Sequence, residues 1–361
     1  MIPYGRQSVD DDDIAAVTLA LKGDWLTRGP AVTEFEEALA AKVDARYAVA
    51  FANGTAALHG AVAAAGIGPG DRVATSALSF AASAACAVYV GATPDYVDID
   101  GATLNLDPLL VPDDVDALVA VHFSGLPVDL TALGNRPRVV IEDAAQALGA
   151  VTADGPVGNC AHSDMTTFSF HPVKSITTGE GGAVTTNDVQ LAHRLRTFRH
   201  HGLQPGPADE PWSTRIQEVG FNYRLTDIQA ALGTSQLAKL DRFLDRRETL
   251  AHRYELALAG ADVLLPPTAP SGVRHARHLF PIRVERRREV YDAMHEAGVG
   301  VQVHHVPIHH QPAYAYGTTA ADLPGTEAAY AHLLSLPLFP DLTDDEQRQV
   351  IDALTTALDA R

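Results

Sequence analysis

Residues 168–182 read Phe168-Ser169-Phe170-His171-Pro172-Val173-Lys174-Ser175-Ile176-Thr177-Thr178-Gly179-Glu180-Gly181-Gly182. An apolar run, Thr166 to Phe170, leads into this stretch, and another, Ala183 to Thr186, leads out. Between them stand Pro, Ser, Thr and Gly, the residues of a turn or loop. One lysine sits in that loop. Lysine is rare in the chain, occurring only as Lys22, Lys42, Lys174 and Lys239; the other basic residues are arginines. A guanidinium stays protonated, whereas a desolvated lysine can lose its proton and act as a nucleophile. Lys22, Lys42 and Lys239 lie in helix-like segments and read as surface residues. Lys174 has two readings: a Schiff-base lysine anchoring an aldehyde cofactor, or a solvated loop lysine.

Outward from this loop, composition sets the bounds. A chain of 361 residues with 46% hydrophobic content is soluble and globular and long enough for two domains. The expected division is 1–240 and 241–361. With 27 basic and 45 acidic residues, the formal charge is −18. Such a chain is a poor partner for nucleic acid or an anionic membrane, and a phosphorylated ligand must be held by local donors. Cys86 and Cys160 lie in neither a CxxC nor a metal-ligand spacing, which implies reduced, buried thiols in a cytoplasmic protein. Met1 to Arg6 shows no signal pattern, and no apolar stretch is long enough to span a bilayer.

Strand-like segments at 47–51, 72–75, 93–97, 117–122 and 138–141 alternate with helical ones, which implies an α/β fold with a mostly parallel sheet. Helices are expected over Ser8–Leu21, capped by Ser8 or Asp10, and from Thr33, with Glu36 completing a capping box. Further helices are expected over 79–88, after Glu142 and over 191–199. Residues 204–213 read as a mobile acidic loop and 226–258 as one long helix or two. Strands at 278–284 and 299–304, with helices at 287–297 and from Asp344, suggest a small C-terminal α+β domain.

Ligands of such sheets gather beyond the carboxyl ends of the strands. Gly54, Thr55 and Ala56 open a helix directly after a strand, as a phosphate site or an ordinary turn. Asp143, at another strand end, either caps a helix or holds a protonated pyridine nitrogen. Amine, carboxylate and phosphate cradle together are what pyridoxal phosphate needs. His304, His305, His309 and His310 form the densest histidine cluster, but no ordered ligand spacing accompanies them, and no metal is expected.

Six segments, taken in order, resemble the DegT-type sugar aminotransferases, a branch of the fold-type I pyridoxal-phosphate enzymes. They are Trp25–Pro30, Asn53–Leu58, Glu142–Gly149, Phe168–Gly182, Gly220–Arg224 and Gln302–His304, and the resemblance covers nearly the whole chain. It implies that Lys174 is the Schiff-base lysine and that Asp143 pairs with the pyridine nitrogen. By the same resemblance Gln146 lies near the ring hydroxyl, Phe80 stacks on the ring, and Gly54, Thr55 and Ser169 hold the phosphate. Asn222 is expected to reach the phosphate of a second subunit, which implies a homodimer with shared sites. Thr27, His171, Glu180, Arg224 and His304 match the substrate side. Family members with His in place of the lysine are dehydratases, so Lys174 implies amine transfer, with glutamate as donor.

The run Lys-Ser-Ile-Thr-Thr-Gly-Glu-Gly-Gly looks like members that aminate carbon 4 of a 4-keto-6-deoxy sugar nucleotide, whereas members acting at carbon 3 more often carry Lys-Asn-Leu-Gly. His-Pro-Val-Lys-Ser-Ile-Thr-Thr is especially similar to the altrosamine transaminases of pseudaminic acid synthesis. His305, where those enzymes usually have Tyr, and the His309-His310 pair depart from that pattern. Amination at another position, or of another keto sugar or a cyclitol, therefore stays open. A non-catalytic cofactor-binding regulator is the alternative from a different class, and the chain has no basic DNA-binding extension to support it.

Overall fold

A computed structural model describes residues 1–210 and 212–360. Short apolar segments form its central sheet: β1 (Tyr47–Phe51), β2 (Arg72–Ser76), β3 (Thr93–Val97), β4 (Ala117–Val121) and β5 (Val139–Asp143). β4 reads Ala-Leu-Val-Ala-Val and is buried at every position, as expected of a strand covered on both faces. A small hairpin, β6 (Val151–Thr152) and β7 (Gly155–Pro156), precedes β8 (Met165–Ser169) and β9 (Gly182–Thr186). The seven-stranded sheet has the order β1-β9-β8-β5-β4-β2-β3. Pairing is parallel from β8 through β3, and β9 runs antiparallel to both neighbours because the Lys174 loop returns the chain directly beside β8.

Helices cover both faces. On one, α2 (Pro30–Lys42) and α6 (Asp227–Leu237) share a core with Phe35, Leu39, Phe168 and Phe170. On the other, α3 (Gly54–Ala64), α4 (Ala82–Tyr89) and α5 (Val189–Phe198) pack through Leu58, Val62, Cys86 and Leu195. A third core joins α7 (Leu240–Ala257), α8 (Arg287–Glu296), α10 (Asp344–Asp359) and the antiparallel pair β12 (Phe280–Arg283) and β13 (Leu333–Leu336). Ile2 belongs to this core, its N–H donating to Gly298 O (2.8 Å).

Several expectations are corrected, and the open ones on the first helix cap and on 226–258 are resolved. The helix expected from Thr33 begins at Pro30, because the Asp227 carboxylate accepts the N–H groups of Gly29 (2.9 Å) and Ala31 (3.1 Å) and caps it from across the chain. Glu36 forms no capping box; it accepts the outward Ala50 N–H of edge strand β1 (2.8 Å) and pairs with Arg199. α1 (Asp11–Lys22) is capped by Asp10, while Ser8 bonds Asp341 (2.8 Å). No helix follows Glu142; residues 145–149 are turn, ending at Gly149 with φ +89°. Residues 204–205 and 214–216 belong to a hairpin, β10 (Leu203–Pro205) with β11 (Thr214–Ile216). The 226–258 segment breaks at Ala238-Lys239 into α6 and α7, with Lys239 turned to Asp13 (2.9 Å). Residues 299–304 form no regular strand and make only single bridges, Val299 to Ile2 and Gln302 to Ser335. α9 (Pro324–His332) and β13 carried no expectation.

Candidate active site

A cavity of about 1200 Å³ opens beyond the carboxyl ends of the parallel strands. β5 delivers Asp143 to it, β8 delivers Ser169, and the loop after β8 delivers Lys174. The loop folds back because Thr178 N–H donates to Phe170 O (3.0 Å) and Thr177 Oγ1 to the same carbonyl (3.1 Å). Lys174 enters no ion pair among the described residues. Burial pushes its ammonium down from 10.5 to about 8, and the negative charge of Asp143 opposes the shift. Its reading as a solvated surface lysine is therefore set aside.

Asp143 is only 5% exposed. Its Oδ2 accepts from Ser83 Oγ (2.7 Å) and its Oδ1 from Ala145 N–H (3.2 Å). The carboxylate thus braces a turn rather than capping a helix. At the start of α3, the Asn53 side chain caps Ala56 N–H (2.8 Å). Ala56 lines the cavity, but its amide is already engaged, so an anion there would meet the amides of Gly54 and Thr55. Gly54 is required: a Cβ there would stand 2.9 Å from Ser169 Cβ and 3.1 Å from Ser169 Oγ. Gly182 is required for the same cradle, since its Cβ would stand 2.5 Å from Asn53 O and 2.7 Å from Gly54 N.

Phe80 is 61% exposed although it lies in the cavity wall, with its ring 6.0 Å from that of His305. Gln146 is buried, and its Oε1 accepts Ser124 N–H (2.7 Å), which fixes the amide beside Asp143. His171 and Glu180 also line the cavity. His304 does so with Nδ1 2.9 Å from Ser335 Oγ; burial and the nearby Lys174 charge push it down to about 4. Thr27, Asn222 and Arg224 do not line it. Phe221 and Tyr223, flanking Asn222, do, whereas Arg224 turns to His200 Nδ1 (2.8 Å).

Other wall residues carried no assignment in the sequence: Tyr4, Ser79, His278, His305 and Tyr223. His278 Nδ1 and His305 Nε2 are buried without a partner among the described residues, and burial holds both imidazoles neutral. His278 precedes a strand instead of following one, so the strand-end rule passes it over. His309 and His310 leave the cavity side and direct their Nε2 atoms to Glu327 Oε1 (2.9 and 2.7 Å), and these three residues group their donor atoms within 4.8 Å.

An enclosed amine of lowered basicity, a buried carboxylate, a Gly-lined anion cradle and an uncovered aromatic face fit a planar phosphorylated aldehyde. The chemistry they allow is amine condensation and proton transfer at an adjacent carbon.

The profile of the DegT/DnrJ/EryC1/StrS aminotransferase family matches residues 7–355. The spore coat polysaccharide biosynthesis protein SpsC of Bacillus subtilis is 37% identical, over 98% of this chain and 96% of its own. PseC of Helicobacter pylori, described as an aminotransferase involved in the biosynthesis of pseudoaminic acid, superposes with a TM-score of 0.91 at 27% identity, covering 100% of both chains. Spr1654 of Streptococcus pneumoniae, in its PLP form, gives a TM-score of 0.91 at 27% identity over 99% of this chain and 98% of that one.

Proposed function

The chain belongs to the DegT/DnrJ/EryC1/StrS aminotransferase family, and on that premise we propose that it transfers an amino group from L-glutamate to a keto group, at carbon 4, of a nucleotide-linked 4-keto-6-deoxy sugar. That it is a fold-type I sugar aminotransferase follows from the family and its solved neighbours. The observation that carries the Schiff-base chemistry is the pairing, in one cavity, of Lys174 at about 8 with the buried Asp143 carboxylate, while the donor and the sugar rest on the family resemblance and carbon 4 on the run Lys174–Gly182.

Pyridoxal phosphate, when bound, supplies the electron sink that stabilises a carbanion at the reacting carbon. The chain's residues do the rest. Gly54 and Thr55 N–H and Ser169 Oγ, all in the cavity wall, would hold the phosphate, with the positive end of α3 adding its field. Phe80 would cover one ring face, Gln146 would stand at the ring hydroxyl, and Asp143 would hold the ring nitrogen. Lys174 would hold the aldehyde and, as a free amine, would take and return a proton at Nζ; a value near 8 suits both directions close to neutral pH. His278 and His305 stay neutral, so this part of the wall offers hydrogen-bonding capacity without a fixed charge. His171, Glu180 and His304 serve the substrate side from the cavity wall, whereas Thr27 and Arg224, expected there too, lie outside it. Asn222, outside its own chain's cavity, serves a second copy in a cytoplasmic homodimer. The division into 1–240 and 241–361 puts the cofactor groups in the first domain and His304 in the second.

Replacing Lys174 by Arg keeps a cation and removes the removable proton. Glutamate-dependent formation of 2-oxoglutarate should fall by about 10³-fold or more. Turnover within tenfold of wild type would refute the assignment. A panel of nucleotide-linked keto sugars and cyclitols, with product NMR, decides the position aminated. Cofactor binding with no transfer to any of them would favour the regulatory reading.

A further inference from the structure

Ser83 lies behind Asp143 and outside the cavity wall, in the first turn of α4. It is 1% exposed and donates to Asp143 Oδ2 at 2.7 Å. Ser79 Oγ, 3% exposed, is 2.9 Å from Ser83 Oγ. The direction of this chain follows from the carboxylate. An ionised Asp only accepts, so the Ser83 proton goes to Asp143 and the Ser79 proton must go to Ser83. Two hydroxyls therefore polarise one another toward one carboxylate oxygen.

What this side of Asp143 lacks is equally informative. Among the described residues Asp143 makes no ion pair. Cys86, one turn beyond Ser83, donates its thiol to Ser83 O (3.2 Å). Burial, with Asp143's charge adding to it, pushes Cys86 up to about 12, so it too stays neutral. α4 thus solvates a buried carboxylate with neutral dipoles. A cation in that place would have neutralised the charge the site uses.

Resting on the reading of Asp143 as the partner of the ring nitrogen, we propose that Ser83, backed by Ser79, is the positioning residue that fixes the Asp143 carboxylate and leaves its negative charge available to the cofactor. Ser83 touches neither cofactor nor substrate and acts only through Asp143.

The test titrates the holoprotein reconstituted with pyridoxal phosphate carrying ¹⁵N in the ring, followed by ¹⁵N NMR from pH 6 to 10. Wild type keeps the ring nitrogen protonated over that range. Ser83→Ala frees the carboxylate to turn from the ring, and the weakened contact between Asp143 and the ring nitrogen should lower the ring's proton affinity about tenfold or more and bring deprotonation into the range. Ser83→Thr should restore the wild-type signal, and Ser79→Ala should shift it less than Ser83→Ala. Ser83→Cys, close in size with a weak donor, serves if the alanine variant does not fold. A purely structural serine would lower cofactor retention without moving the titration. Ser83 variants that titrate as wild type while Asp143→Asn loses the ring proton overturn the proposal. If Asp143→Asn also titrates as wild type, the reading of Asp143 itself falls.

Discussion

Capture of the cofactor should be governed by one proton. Condensation with an aldehyde needs the neutral amine, and Lys174 is lowered from 10.5 to about 8 by burial. At pH 7 an ordinary lysine is neutral in about one molecule of 3,000, and one at 8 in about one of ten, so burial raises the reactive fraction by about 300-fold. The assay mixes cofactor-free protein with excess pyridoxal phosphate and follows the visible band by stopped flow from pH 6 to 10. Rates with N-acetyl-lysine amide, run in parallel, remove the cofactor's own titration. The corrected rate should climb about tenfold per pH unit and level off near pH 8. Asp143 opposes the shift, so Asp143→Asn should move the break below 8. A rate still climbing past pH 9.5, or a break that moves upward in Asp143→Asn, would refute the reasoning.

Two further outcomes concern the frame around the site. Asp227→Ala removes the acceptor for Gly29 and Ala31 N–H, worth about 2 kcal/mol, and amide exchange across residues 29–35 should quicken by about 30-fold; unchanged protection there would show that α2 does not depend on this remote cap. His122 donates from Nε2 to Glu142 (2.8 Å), since its Nδ1 accepts Val128 N–H (3.0 Å). Burial pushes Glu142 up, but the bonds from His122, Ser163 and Thr166 outweigh it and leave Glu142 below its usual range. A lowered carboxyl stabilises above its unfolded value and loses that contribution as pH falls through the folded one. Thermal scans should therefore show His122→Ala destabilised most near pH 7, with the gap closing below about pH 4; a gap that stays constant with pH would count against the pair.

The sheet was legible where its signals are local. Tyr47–Phe51 and the Asn53-Gly54 turn mark a strand and a helix start within a few residues, and both stand as read. The start of α2 was not, because its cap, Asp227, lies nearly two hundred positions away. Residues 299–304 have strand-like composition, yet their backbone is divided between Ile2 and Ser335 and builds no ladder. The site divides in the same way. Lys174 and Asp143 could be singled out as residue types at loop and strand end. Their surroundings could not: Tyr4, His278 and His305 meet Lys174 only through the fold, and the i, i+4 spacing of Ser79 and Ser83 is the sole local trace of the bond to Asp143.

Those surroundings decide the chemistry. At −18, the chain's overall field opposes any phosphorylated ligand. That field is screened over about 8 Å at physiological salt, whereas groups inside the cavity act at contact. On the proposed function, the cavity needs a positive end for the phosphate, a negative group at the opposite end of a ring, and an amine between them that is not permanently charged. α3 supplies the first as amides and a helix dipole, which cannot be titrated away. Asp143 supplies the second without a cationic partner among the described residues. Burial supplies the third by lowering Lys174, and neutral His278, His304 and His305 keep that environment from raising the charge density beside it. A cation at any of these histidines would stabilise a bound carboxylate or phosphate but would lower Lys174 further, leaving too weak a base to take a proton from carbon. Neutral imidazoles keep hydrogen-bonding capacity without that effect, which is a physical reason for histidine rather than arginine on this wall of an otherwise arginine-rich chain.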